Sequence, residues 1–100
     1  MRGYELSERA ARDLEAVQDW YKSQGGTELA RRFYDDLTLA LCVARERPMS
    51  CPSVRGRVRA VRCSKFPYRI YFVASESRID VLAVYHTARK PGAWNDPNRE

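Results

Sequence analysis

A chain of 100 residues with a net charge of +5, 44% of it hydrophobic and 31% charged, has the composition of one globular domain with a single modest core and no room for a separate cofactor domain. No apolar run approaches the ~20 residues needed to span a bilayer, and the charged opening MRGYELSERA lacks the hydrophobic region of a secretory signal, so the protein is expected in the cytosol and off the membrane. Three cysteines, Cys42, Cys51 and Cys63, are odd in number and lack CxxC spacing, which argues against a disulfide framework and a zinc site and leaves free, mostly buried thiols, with neither metal nor cofactor expected.

Tyr4 and Leu6 flank Glu5 as a short strand, and Ser7 is placed to cap a helix, since its hydroxyl accepts an orphan backbone N–H. Ala10, Leu14, Val17 and Tyr21 recur at helical spacing on one face. Gly25-Gly26 stops that helix. A second begins near Thr27, carries Ala30, Phe33, Leu37, Ala40 or Leu41, and Ala44 inward, and ends before Pro48. The two make an antiparallel hairpin. After a loop from Pro48 to Gly56, the pattern changes to the β-branched and aromatic runs Arg57–Cys63, Tyr68–Ala74 and Arg78–His86. Short polar or proline-bearing connectors join these three strands into an antiparallel meander, and the nearly continuous apolar run Ile79–Tyr85 suits a central strand covered on both faces. The expected architecture is α+β: a short N-terminal strand, an antiparallel helix hairpin and a three-stranded antiparallel meander completing one sheet. One domain over residues 1–91 is followed by a C-terminal tail over 92–100. The expected core is Leu14, Phe33, Leu37, Ile70, Leu82 and Val84.

Charge is distributed unevenly. Residues 1–50 carry 8 basic and 9 acidic side chains, residues 51–100 carry 10 and 4, and six basic residues with no acid lie between Cys51 and Ser75. A one-sided cationic field favours a polyanionic or acidic partner, although basic stripes also serve solubility alone. Arg57, Arg59, Arg62 and Arg69 are candidates for a cationic patch because a guanidinium fork matches phosphate; strand alternation puts Arg57 and Arg59 on one face and Arg62 on the other. His86, the single histidine, closes the last strand beside Arg89 and Lys90 and is a candidate acid or base. Its plainer reading is structural, as a ring bonded to a loop. Tyr68, Tyr71 and Tyr85 suit base stacking or the core. Trp94 either pins the tail to the fold or anchors a partner. Neither GxSxG, HExxH nor a phosphate-cradling glycine loop occurs.

Three stretches together carry a family resemblance: Tyr4-Glu5-Leu6-Ser7 with Ala10 and Asp13-Leu14; Ala30-Arg31-Arg32-Phe33-Tyr34 with Leu37; and Val61-Arg62, Phe66-Pro67-Tyr68-Arg69-Ile70-Tyr71, Ile79 to His86 and Arg89-Lys90-Pro91 to Trp94. In order and spacing these resemble the RelE/ParE toxins of bacterial type II toxin-antitoxin systems over nearly the whole chain. The closing His86, Arg89, Pro91 and Trp94 look more like the ParE branch, which implies a toxin that inhibits DNA gyrase without chemistry of its own and is neutralised by a ParD-like antitoxin in a hetero-oligomer. The resemblance then gives Arg57, Arg59, Arg62, Arg69, His86, Arg89, Lys90 and Trp94 as target-binding residues. Trp20, Tyr34 and Leu41 fall to the antitoxin, in a groove between hairpin and sheet. The alternative is the RelE branch, a ribosome-dependent mRNA endonuclease with His86, Arg62 and Arg69 as its catalytic groups. A tail without tyrosine and a sheet region with one lysine depart from that branch. Charge alone leaves a third reading, a nucleic-acid-binding module without toxicity.

Overall fold

Ser7 separates the first strand from the helix because its hydroxyl serves both. In a computed structural model that describes residues 1–88, its Oγ accepts the N–H of Ala10, 3.0 Å away, at the start of α1 (Glu8–Glu46). The same hydroxyl donates to the Leu82 carbonyl at 3.0 Å. Strand β1 (Gly3–Leu6) is thereby tied to the far end of the chain before the helix begins.

The helical stretch is interrupted at Gly25 and Gly26, whose backbone angles are not helical. A straight helix of 39 residues would be roughly 58 Å long, whereas the molecule's longest dimension is 37 Å, so the two arms fold back on each other. Gly26 takes φ 77° and ψ −172°, a region essentially restricted to glycine. At Gly25 a Cβ would meet the Leu29 side chain at 2.6 Å. Both glycines are therefore required by the turn. The inward stripes land as their spacing implies: Ala10, Tyr21, Phe33, Leu37, Ala40, Leu41 and Ala44 are buried, with Leu14, Val17 and Ala30 packed against them.

A 3-10 turn (Pro48–Ser50) leads to β2 (Ser53–Arg55), β3 (Val58–Arg62), β4 (Tyr68–Ala74) and β5 (Arg78–His86). The sheet order is β1-β5-β4-β3-β2. Among the described residues it has five strands, one more than the sequence reading supplied, because β2 pairs with β3 inside the segment expected to be loop. It is also mixed: β1 runs parallel to β5, with Gly3 opposite Arg78 and Leu6 opposite Val81, while the other neighbours are antiparallel. A parallel partner requires a long crossover, and the helical arms provide it.

The register of β4 against β5 shifts between Tyr71 and Phe72, which face Ala83 and Val81, so Leu82 has no partner opposite. This bulge reverses the alternation along β5. Ile79 and Val81 before it and Val84 after it join the helices in the main core, whereas Ala83 and Tyr85 join Ala60 and Tyr71 on the opposite face. Leu82 is the correction to the expected core: it is half-buried and belongs to neither cluster. Phe33, Leu37, Ile70 and Val84 are buried as expected, and Leu14 is half-buried against them.

Two expectations follow from this packing. Phe72→Ala, at a position with no exposed surface, should cost about 3–5 kcal/mol, whereas Leu82→Ala should cost about 1 kcal/mol, both read from urea unfolding. Gly26→Ala should cost about 1–3 kcal/mol in the same measurement, and a neutral result would show that the turn does not depend on glycine's conformational range.

Candidate functional site

Two places on this scaffold gather side chains that could meet a partner. The first is an apolar groove between the second helical arm and the β1 side of the sheet, a cavity of about 160 Å³. Leu37 and Leu41 from the helix and Leu6, Ile70, Val81 and Val84 from the sheet form its floor, with Tyr34 and Tyr4 at its rim. Both tyrosines are exposed. One end is closed by Arg45, whose guanidinium lies 5.1 Å from the centre of the Tyr4 ring and donates from Nε to the Arg2 carbonyl at 2.6 Å. Arg2 returns a bond from Nη1 to the Arg45 carbonyl at 3.4 Å and donates from Nε to Ser75 at 2.7 Å. Of the three residues expected in such a groove, Tyr34 and Leu41 line it and Trp20 does not. Trp20 is exposed near the hairpin tip, edge-on to Tyr21 with ring centres 5.0 Å apart. The groove also draws on Tyr4 and Arg45, which sequence reasoning missed: their signal is an aromatic residue on an edge strand and a cation in the last turn of a helix.

The second place is the sheet face away from the helices. Arg62 on β3 stands directly opposite Arg69 on β4, and Arg69 stands opposite Tyr85 on β5. The Arg9 guanidinium lies 4.9 Å from the centre of the Tyr85 ring. Arg57 and Arg59 do not join this row. Arg57 lies in the turn between β2 and β3 and reaches the Ala74 carbonyl at 3.4 Å. Arg59, on the helix side of β3, spends its Nη1 on the Cys51 carbonyl at 2.7 Å, which makes it a structural tie. Arg89, Lys90 and Trp94 lie outside the described residues.

His86 is set apart from the arginine pair. It stands opposite Tyr68, on the face that carries Val84, and its ring meets Tyr68 edge-on at 5.2 Å. Its Nδ1 accepts the backbone N–H of Ala88 at 3.0 Å, the loop bond of the plainer reading. A neutral ring accepting at Nδ1 carries its proton on Nε2. His86 shares a small cavity of about 140 Å³ with Asp13, Tyr68 and Tyr85.

Two buried or half-buried carboxylates hold these surfaces in place. Asp36 is 3% exposed and accepts three bonds from the loop between β3 and β4: from Ser64 Oγ at 2.9 Å and from the backbone N–H groups of Lys65 and Phe66 at 2.9 and 2.8 Å. Burial pushes its carboxyl up, but the N–H groups of Phe66 and Lys65 and the Ser64 hydroxyl outweigh it and hold the group below its ordinary value. That loop sets the hairpin on which Arg62 and Arg69 stand. Asp13 accepts the N–H of Val84 on its Oδ2 at 3.0 Å. Both carboxylates fall on the apolar stripes of their helical arms, and an acid on such a stripe is the sequence signal of a buried acceptor.

The thiols offer no reactive group in the core. Burial, with the Asp36 carboxylate beside it, pushes Cys63 up to about 12, and burial also raises Cys51. Burial and the neighbouring Tyr68 likewise push the Tyr21 phenol up to about 12.

A family model described as the ParE toxin of the type II toxin-antitoxin system parDE matches residues 4–91. The solved structure of a chromosomal ParDE TA system from P. aeruginosa is similar with a TM-score of 0.73 at 22% identity, over 86% of this chain and 96% of that one. The likeness to that structure is one of fold. Among curated proteins no match is found.

Asp36 generates a test with a defined sign. Because its carboxyl titrates lower when folded than its ordinary value near 3.8, its contribution is complete above that value and disappears as pH falls through the lower folded value. Asp36→Ala should therefore cost about 1–3 kcal/mol at pH near 6, and the gap from the parent should narrow towards pH near 2. Urea unfolding at both pH values checks this; a gap that stays constant would mean that the charge on Asp36 is not what the loop depends on.

Proposed function

Because this chain belongs to the ParE toxin family of type II toxin-antitoxin systems, we propose that it acts by binding DNA gyrase, without a chemical step of its own, and is silenced by a ParD-like antitoxin seated in the apolar groove. The observation that carries the choice is the separation of His86 from Arg62 and Arg69. A nuclease would need the acid or base and the cations to converge on one phosphate within hydrogen-bond reach. Here the bulge at Leu82 directs His86 to the helix side beside Tyr68, while the two arginines project from the other face. His86 is instead engaged with Ala88, as a ring that orders the end of β5.

The antitoxin reading rests on the groove's shape and chemistry. An apolar trough rimmed by exposed aromatic rings and closed by arginine suits an amphipathic segment that folds on contact, with its apolar side chains on the floor and an acid towards Arg45. Tyr34 is the expected anchor, as an exposed aromatic beside a pocket. Trp20, off the groove, contributes to a different contact or to none with that segment. Target binding is assigned to the cationic surface that carries Arg62 and Arg69 and to Arg89, Lys90 and Trp94, which come after β5 in the sequence.

Two measurements test this reading. Purified toxin should inhibit gyrase supercoiling, with His86→Ala changing the inhibitory concentration by less than about threefold. Codon-phased mRNA cleavage in expressing cells that vanishes in His86→Ala would replace the gyrase reading with the nuclease one. For the groove, Tyr34→Ala should weaken the cognate antitoxin by about tenfold or more, against less than about threefold for Trp20→Ala, by calorimetry. The opposite order would move the antitoxin from the groove to the hairpin tip.

A further inference from the structure

We propose that Gly25 and Gly26 form a hinge through which two copies of this chain exchange β1 and the first helical arm, the two arms of each copy joining into one continuous helix. The break between the arms is confined to these two residues, with helical backbone directly on either side of them. No proline lies between Glu8 and Glu46 to bar a straight path. At the break the last carbonyls of the first arm and the first N–H groups of the second lack helical partners, and joining the arms restores them. The closed turn, by contrast, is open only to glycine. Gly26 sits at φ 77°, and a Cβ at Gly25 would meet the Leu29 side chain at 2.6 Å. A straight helix instead disfavours glycine relative to alanine by about fivefold at each position. The pair thus favours the closed chain from both directions, and its replacement favours the joined one.

The segment that moves, residues 1–24, is held to the rest of the fold by contacts that a second copy reproduces. The Tyr21 ring packs on Phe33, Phe66 and Tyr68 with centres 5.3, 5.1 and 6.3 Å away. Ser7 Oγ donates to the Leu82 carbonyl and Asp13 accepts the Val84 N–H, both at 3.0 Å, and β1 pairs along β5. In a straight helix, positions 21 and 33 stand roughly 18 Å apart. Tyr21 of a joined helix therefore meets Phe33 of the second copy and not its own.

Exchange is decided during folding. Ser7 and Leu82 are 75 residues apart, so the first strand and arm wait for the last strand, and closure on a neighbouring chain competes with closure on their own when chains are concentrated. Two features of the closed molecule acquire a role in the exchanged pair. Trp20, 55% exposed and outside the groove, lies about 8 Å along the joined helix from the hinge, where the hairpin tips of the two copies come together. The groove becomes composite, with Tyr4, Leu6 and Leu14 from one copy and Tyr34, Leu41 and Val84 from the other. The exchange concerns the chain alone and does not rest on the antitoxin or gyrase readings.

The test refolds the full chain from urea at roughly 1 mM and at roughly 10 μM and sizes the products by chromatography with light scattering. A dimer should form at the higher concentration and persist on dilution, because its release requires the β1–β5 pairing to unfold. In a dimer made from an equal mixture of isotope-labelled and unlabelled chains, an intermolecular NOE should connect Tyr21 of one copy to Phe33 of the other. Gly25→Ala with Gly26→Ala should raise the ratio of dimer to monomer after refolding by about tenfold or more. Gly3→Ala, whose added Cβ meets nothing within 4 Å, should leave that ratio within about twofold. The labelled mixture needs no substitution, so it decides even if the alanine pair does not fold. A chain that stays monomeric at the higher concentration would overturn the proposal. A dimer lacking the Tyr21–Phe33 signal would overturn it in favour of surface association, and a folded alanine pair that remains monomeric would overturn it in favour of a rigid turn.

Discussion

The fold depends on how the exposed side of β5 is satisfied where β1 stops. Strand β1 ends at Leu6 opposite Val81, but β5 continues to His86, and an unpaired backbone group buried at that edge costs about as much as a lost hydrogen bond. The first helical arm supplies the partners. Ser7 N–H reaches the Val81 carbonyl at 2.9 Å, Ser7 Oγ the Leu82 carbonyl at 3.0 Å, and the Asp13 carboxylate takes the Val84 N–H at 3.0 Å. A strand edge is thus completed by a helix terminus and one side chain a turn further on. That substitution fixes the angle at which the first arm leaves the sheet, and with it the position of the second arm and of the groove beneath it.

The bulge at Leu82 has a different consequence. In an unbroken strand Ile79, Val81, Ala83 and Tyr85 would share one face. With one residue unpartnered, Ala83 and Tyr85 turn away from the helices, and Val84 and His86 turn towards them. The assignment of His86 to one surface and of the Arg62–Arg69 pair to another follows from that single inserted residue, because Tyr68 and Arg69 opposite them already alternate. Bulges commonly re-aim side chains at functional surfaces. Here the result is two surfaces with separate chemistries, one apolar and concave, the other cationic.

Much of this was legible in the sequence, and the misses share a cause. The helical arms, their glycine break, the Ser7 cap and strands β4 and β5 were readable because spacing and local chemistry determine them. The fifth strand was not, since Ser53–Arg55 is short and lies in a segment rich in turn residues. The parallel pairing of β1 was equally hidden: three or four residues carry no mark of which partner they will take. Leu82 was placed in the core by strict alternation, and no residue type in Val81-Leu82-Ala83 announces the bulge. For the candidate site, Trp20, Tyr34 and Leu41 were named together; the fold brings Tyr34 and Leu41 to the groove and leaves Trp20 exposed near the hairpin tip. Alternation already set Arg57 and Arg59 apart from Arg62, but that the first two end as backbone ties and that Arg62 stands opposite Arg69 depends on register, which is a property of the folded sheet.

The pairing of the first strand with the last, Gly3 with Arg78 and Leu6 with Val81, also bears on the protein's synthesis. Contacts so distant in sequence close late, after the loop entropy between them has been overcome. A nascent chain stopped before Val81 has no partner for β1, no acceptor for the Ser7 hydroxyl and no N–H for Asp13, and both the groove and the arginine row are missing a wall. Neither surface is assembled until Val81 and the residues that follow it in β5 have been made.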